Sequence, residues 1–148
     1  MSEGDGSRDE NTAIEAEDFL ALVRDGLPEA RDLPLSLLEW GRGRLVLRLA
    51  ADERYIRPGG TISGPTLFAL CDLALYGAVM SMIGRVELAV TTSMTINFLR
   101  RPRPGLLDAR CRLMKLGSRL AVGEVHVEDP QSAVVAHATG TYSIPPRD

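Results

Sequence analysis

Between Pro58 and Gly84 the chain carries a single charged residue, Asp72. Around it runs Gly64-Pro65-Thr66-Leu67-Phe68-Ala69-Leu70-Cys71-Asp72-Leu73-Ala74-Leu75-Tyr76-Gly77-Ala78-Val79-Met80, apolar on almost every face. A helix of this composition has no side suited to water and has to be buried. Ser63 or Gly64 can cap its start and Pro65 suits the first helical position. Gly84 stops it after Ile83. A carboxylate carried on such a helix loses hydration, at a cost of roughly several kcal/mol unless it is paired or protonated. No cation lies nearby in sequence to pair with it. Asp72 is therefore a candidate for chemistry. The plainer alternative is a buried acid hydrogen-bonded to backbone or to a Ser or Thr hydroxyl.

The run nearly reaches the length of a bilayer span. A central Asp is costly in lipid, and strand-like segments follow closely, so a buried core helix is the expectation and no membrane is implied. Upstream, Phe19, Leu20, Leu22 and Val23 place a short amphipathic helix over Glu15 to Gly26, stopped by Gly26 and Pro28. Leu35 to Trp40 and Arg44 to Leu49 flank Gly41-Arg42-Gly43 as a hairpin, and Arg57-Pro58-Gly59-Gly60 reads as loop. Four strand signals follow the long helix. Leu88 to Leu99 alternates, with Leu88, Val90, Thr92, Met94, Ile96 and Phe98 on one side, until Pro102, Pro104 and Gly105 break it. Leu106 to Leu116 and Arg119 to Glu128 flank a two-residue turn, Gly117-Ser118. Ala133 to Ile144 puts Val134, Ala136, Ala138, Gly140, Tyr142 and Ile144 on one face. The class is α+β: one antiparallel sheet against one very apolar helix. A single sheet face does not bury a helix that is apolar all round, so a second copy of the chain is expected to cover the remainder.

The length of 148 residues suits one domain with a real core. The net charge of -3 is unevenly spread, because residues 1–18 hold seven acids against Arg8 alone. The segment from Met1 to about Thr12 reads as a solvated, disordered tail, leaving 13–148 as the domain. The rest is mildly basic, with a concentration at Arg100, Arg101 and Arg103. An acidic overall balance with 5% aromatic residues gives nucleic-acid binding little support. Cys71 and Cys111 read as buried free thiols, without a disulfide or zinc pattern. The two histidines, His126 and His137, fall on expected strands, with no nucleophile elbow, metal-ligand spacing or phosphate-binding glycine motif. No cofactor is expected. The polar, acidic first residues do not resemble a secretory signal, which makes the cytoplasm the default location.

Three stretches in this order resemble the hotdog fold and, within it, the phenylacetate-pathway (PaaI-like) acyl-CoA thioesterases. They are Gly64 to Ala74, Thr91-Thr92-Ser93-Met94-Thr95-Ile96-Asn97-Phe98-Leu99-Arg100, and Gly117 to Val125 with its partner Val135 to Tyr142. The resemblance spans about residues 35–145. It implies a long central helix wrapped by a curved antiparallel sheet, with the short N-terminal helix outside the shared region. In that family a His-Gly-Gly triplet opens the helix and a carboxylate follows two turns in; Asp72 falls on that carboxylate. Gly64 falls on the first glycine, whose N–H polarises the thioester carbonyl. Thr91 aligns with a small hydroxyl residue that can hold the attacking water, though Thr92 or Ser93 takes that role after a small alignment slip. The family's sites lie between subunits, which implies a homodimer, commonly paired again into a homotetramer.

The chain departs from the family at the triplet, where Ser63-Gly64-Pro65 stands for His-Gly-Gly and Pro65 has no N–H to donate. Arg57 lies where relatives often carry an amide. The chemistry implied is hydrolysis of a coenzyme A thioester of a small or medium acyl or aryl acid. Asp72 would serve as general base on water or as nucleophile through an anhydride, with both options open. Ser63, Arg57, Arg100 and Arg101 are candidates for substrate binding, because arginine forks suit phosphates. Lys115 and Arg119, beside the Gly117 turn, lie where the family often places basic residues near the nucleotide. The alternative function is a hotdog module that binds acyl thioesters or aromatic ligands without turning them over.

Overall fold

The computed structural model describes residues 11–146. In chain order these form α1 (Ala16–Gly26), β1 (Leu35–Gly41), β2 (Arg44–Ala51), β3 (Ile56–Arg57), β4 (Thr61–Ile62), α2 (Gly64–Ile83), β5 (Val90–Phe98), β6 (Gly105–Leu116), β7 (Leu120–Glu128) and β8 (Val134–Ser143). Most of the expected acidic tail, through Glu10, lies outside the described residues. At its inner end the Asn11 carbonyl accepts from Arg42 at 2.8 Å, and the Ala13 N–H donates to the Ser81 carbonyl at 2.8 Å.

The organising element is α2. Ser63 is extended and accepts the Thr66 N–H on its Oγ at 3.3 Å, so Ser63 is the cap. Gly64 then holds the first helical position and Pro65 the second, one place later than the sequence pattern puts it. The sheet runs β1-β2-β6-β7-β8-β5, antiparallel throughout, and α2 packs against all six strands. Six strands spaced by about 4.8 Å are roughly twice as wide as a helix with its side chains. One helix touches them all only if the sheet curls around it, which is the hotdog arrangement.

The closest approach occurs at Leu75. Gly123 and Gly140 face each other across β7 and β8, and a Cβ on either would lie 2.7 Å from a Leu75 methyl. The missing side chains form the notch that seats the helix. On the other flank the chain covers α2 with its own N-terminal part. Phe19 of α1 stacks on Trp40 at 5.3 Å and meets the edge of Tyr76 at 6.1 Å, while the Trp40 indole N–H donates to the Ile14 carbonyl at 3.0 Å. Gly77 lies beneath this cluster, where a Cβ would come within 2.8 Å of Leu45. By length and composition α2 could cross a membrane, yet 67% of its most apolar window is buried inside this fold, as a core helix is.

One stripe of α2 stays uncovered. Pro65 and Phe68 are exposed, and Ala69 and Asp72 are half-buried, at helical spacing along one line. The free edge of the sheet, β5, also presents apolar groups: Val90 and Phe98 are each 53% exposed, and Leu88 just before the strand is 76% exposed.

Two local expectations are corrected. Strict alternation puts Val90 and Thr92 on the face of Met94. The register instead passes from Thr91↔Tyr142 to Ser93↔Thr141, leaving Thr92 as the extra residue of a bulge. A bulge re-phases a strand, so Thr91 turns inward together with Met94 and Ile96. At the β6–β7 turn the Gly117 N–H bonds the Leu120 carbonyl at 2.8 Å, so Arg119 belongs to the turn and β7 starts at Leu120.

The Leu75 notch is directly testable. Gly140→Ala should destabilise by about 1–3 kcal/mol through overpacking, at about 2–4 °C of melting temperature per kcal/mol. In a Leu75→Ala background the same change should cost clearly less, a coupling that thermal melts of the four proteins would measure.

Candidate active site

Asp72 lies two turns into α2, on the uncovered stripe. Its Oδ1 accepts two hydroxyl hydrogen bonds, from Thr91 Oγ1 at 2.5 Å and from the Tyr142 phenol at 2.7 Å. The phenol is also 3.0 Å from the Asp72 carbonyl. The bulge in β5 makes this possible, because it turns Thr91 toward the helix. Both hydroxyls fall on one oxygen. Oδ2 accepts no hydrogen bond from the described residues, and none of them forms an ion pair with the carboxylate. Asp72 is thus hydroxyl-bonded, as the plainer reading of the sequence had it, and also open on one side.

Asp72, Thr91 and Tyr142 line a cavity of about 390 Å³ together with apolar groups that include Leu27, Ala30, Leu33, Leu73 and Ala89. Glu29 and Glu87 are the other charged residues in its wall. Burial, followed by the neighbouring Asp72 charge, pushes the Tyr142 phenol above the ordinary tyrosine range. The phenol is therefore a donor to Asp72 across neutral pH. Tyr142 was not among the residues singled out from the sequence. Its signal was present: on a face otherwise built of Val134, Ala136, Ala138, Gly140 and Ile144, it is the one side chain with a polar tip. Beside the acid, burial and then the Asp72 charge push the Cys71 thiol up to about 12. Cys111 is likewise raised by burial. Neither thiol is a nucleophile at neutral pH.

The start of α2 builds a second cavity, of about 530 Å³, lined by Arg57, Ser63, Gly64, Phe98, Arg100 and Arg101 among others. The sequence candidates Arg57, Ser63, Gly64, Arg100 and Arg101 thus converge on one place. The first turn of a helix has N–H groups without intrahelical acceptors. Pro65 has none to offer, the Thr66 N–H goes to Ser63 Oγ, and the Leu67 N–H goes to the Ser63 carbonyl at 3.2 Å. Gly64 supplies the remaining donor. A Cβ at Gly64 would stand 3.3 Å from the Phe98 ring, so the absence of a side chain keeps this N–H approachable. The three arginines form no ion pair with the described residues. With the positive end of the helix dipole they make an anion-attracting surface.

Lys115 and Arg119 line neither cavity. Lys115 lies on β6 beside the irregularity between Leu113 and Lys115. Arg119 donates through Nε to the Ile144 carbonyl at 2.9 Å, tying down the end of β8. Gly64 and Asp72 are eight residues apart, about 12 Å along the helix axis.

A sheet curled around a central helix, with an anion-attracting helix start and a hydroxyl-held acid two turns in, defines a hotdog thioester hydrolase. The family model of the thioesterase superfamily matches residues 59–136, and the chain belongs to that superfamily. A solved protein from Silicibacter sp. TM1040, provisionally described as a thioesterase, superposes with a TM-score of 0.81 at 37% identity, over 94% of this chain and 99% of that one. A mutant of the phenylacetic acid degradation protein PaaI from Thermus thermophilus gives 0.72 at 28% identity, over 80% and 99%. A protein of Saccharolobus solfataricus, provisionally assigned as an esterase, is 32% identical over 107 residues, 72% of this chain and 69% of that protein.

Cys71 provides a check on the site, since it adjoins the acid without a chemical part to play. Cys71→Ala should retain thioester hydrolysis. In the folded wild type, both thiols should resist alkylation at neutral pH until the chain is denatured, which mass spectrometry would read.

Proposed function

We propose that the protein hydrolyses coenzyme A thioesters of small or medium, uncharged acyl or aryl acids, with Asp72 as the catalytic carboxylate, in sites shared between two copies of the chain. The observation that carries this reading is the division of labour at Asp72. Oδ1 is held by Thr91 and Tyr142, Oδ2 accepts no hydrogen bond from the described residues, and Asp72 lines a largely apolar cavity.

The need for two copies follows from helix geometry. An oxyanion donor has to lie about 3 Å from the developing charge, and a nucleophile about 3–3.5 Å from the carbon it attacks. Gly64 and Asp72 of one helix, about 12 Å apart, cannot meet on one carbonyl. A second chain pairing along β5 would cover the apolar edge and the exposed stripe of α2. It would also bring its own helix start toward Asp72.

In such a site the Gly64 N–H polarises the thioester carbonyl. Asp72 takes a proton from water as the oxygen adds to the carbonyl carbon. The C–S bond then breaks, and the departing thiolate takes up the proton to give acid and thiol. Direct attack by the carboxylate, through an anhydride that water opens, gives the same products. Arg57, Arg100 and Arg101 supply charge for the phosphates of the nucleotide. Glu29 in the wall of the acid's cavity opposes an acyl group that ends in a carboxylate, whereas Glu87 is already paired with Arg85. The aryl option draws on the likeness to the phenylacetic acid degradation protein.

Asp72→Asn should lower kcat by about 10²–10⁴-fold on whichever thioester a panel of coenzyme A esters shows to be cleaved. A variant with wild-type turnover would remove Asp72 from the chemistry. Tyr142→Phe deletes one hydrogen bond to a charged acceptor, worth about 1.5–3 kcal/mol, and should lower kcat more than it changes KM. Light scattering should report a dimer or a multiple of one; an active monomer would sink the shared site.

A further inference from the structure

The chain has two histidines, and the fold sets them face to face. His126 on β7 is the direct partner of His137 on β8, with ring centroids 4.7 Å apart. Glu124, two residues before His126, is on the same face of β7. His137 Nε2 lies 3.1 Å from Glu124 Oε2. One donor atom from each of the three residues can be chosen so that all lie within 4.8 Å of one another. His137 is five positions from Tyr142 on the same strand, so it points away from the Asp72 cavity to the outer face of the sheet. The hydrolytic site therefore does not account for this cluster.

We propose that Glu124, His126 and His137 form a binding site for a divalent transition-metal ion of the zinc type. Two imidazoles and a carboxylate are a donor set such ions accept, with water completing the tetrahedron. Donors bound at about 2.0–2.1 Å around a tetrahedral ion stand roughly 3.3 Å apart. The His137–Glu124 pair already has that spacing. His126 closes the remaining distance by side-chain rotation, while the paired strands fix all three Cα positions.

The side chains of Glu124 and His137 are only 18% and 30% exposed. Two of the neighbouring cations are already engaged. Arg112 Nε bonds Glu124 Oε1 at 3.0 Å, leaving Oε2 to the histidines, and Arg110 is held by Glu39 and Glu128 at 2.9 and 3.2 Å. An ion on Oε2 would leave the Arg112 contact in place, orienting the carboxylate as the partners of metal ligands do. It would also cross-link β7 to β8 and stabilise the folded state by mass action.

The test is titration of the full chain with zinc ions by calorimetry, and with cobalt(II) by visible absorption, which reports tetrahedral coordination. The expected result is one ion per chain and a melting temperature that rises with zinc. His126→Ala, His137→Ala and Glu124→Gln should each weaken binding by about tenfold or more and remove the melting shift, while melting cooperatively without metal. Wild-type protein that binds no zinc would overturn the proposal. So would variants that bind as tightly as the wild type.

Discussion

Everything in this molecule follows from the burial of one helix that has no polar side. An all-apolar α2 requires cover on every flank, and the sheet can provide it only by curling around. The curl demands close contact at its centre. Leu75 obtains it where Gly123 and Gly140 have no side chains. The remaining flank is closed where Phe19, from the N-terminal helix that folds back over α2, packs on Trp40 of β1 and Tyr76 of α2 itself. What neither covers is the stripe from Pro65 to Asp72, where the candidate site lies.

Dryness gives the acid its character. In water a single carboxylate has no preferred face. On this helix one oxygen is fixed by two hydroxyls, the other accepts no hydrogen bond from the described residues, and the residue lines a largely apolar cavity. At the opposite end of the stripe the helix dipole, the Gly64 N–H and three arginines gather positive potential. A thioester of coenzyme A has a matching asymmetry, with a polyanionic nucleotide at one end and an acyl group at the other. The fold separates these two fields by the length of two helical turns.

Much of this was legible in the chain itself. The bounds of α2, the order of the strands, and the conspicuous position of Asp72 follow from composition and spacing, because long, strongly patterned segments leave few choices. Ser63, Arg100 and Arg101 sit at a helix start and a proline-broken loop, which are local signals, while the roles of Gly64 and Arg57 came from the resemblance to the thioesterases. Tyr142 and Phe98 were less visible. Each reaches its partner only through the sheet register, Tyr142 across 70 residues to Asp72, and register is not a local property. The inward turn of Thr91 was hidden for another reason: alternation assumes an unbroken strand, and a bulge is one residue that pattern alone does not reveal. Lys115 and Arg119, singled out beside a turn, line neither the cavity at Asp72 nor the one at the start of α2.

The bulge at Thr92 also bears on how this sequence can change length. In a regular strand the loss of one residue turns every later side chain to the wrong face. Removing Thr92 would leave Thr91 inward, Ser93 outward and Met94 inward, so the packing of β5 would survive. The core has no use for the extra residue. Its effect is on local twist and reach, and those set where Thr91 meets Asp72. A shortened strand of this kind would fold while losing the alignment at the acid, so the constraint on that position comes from the site rather than from stability.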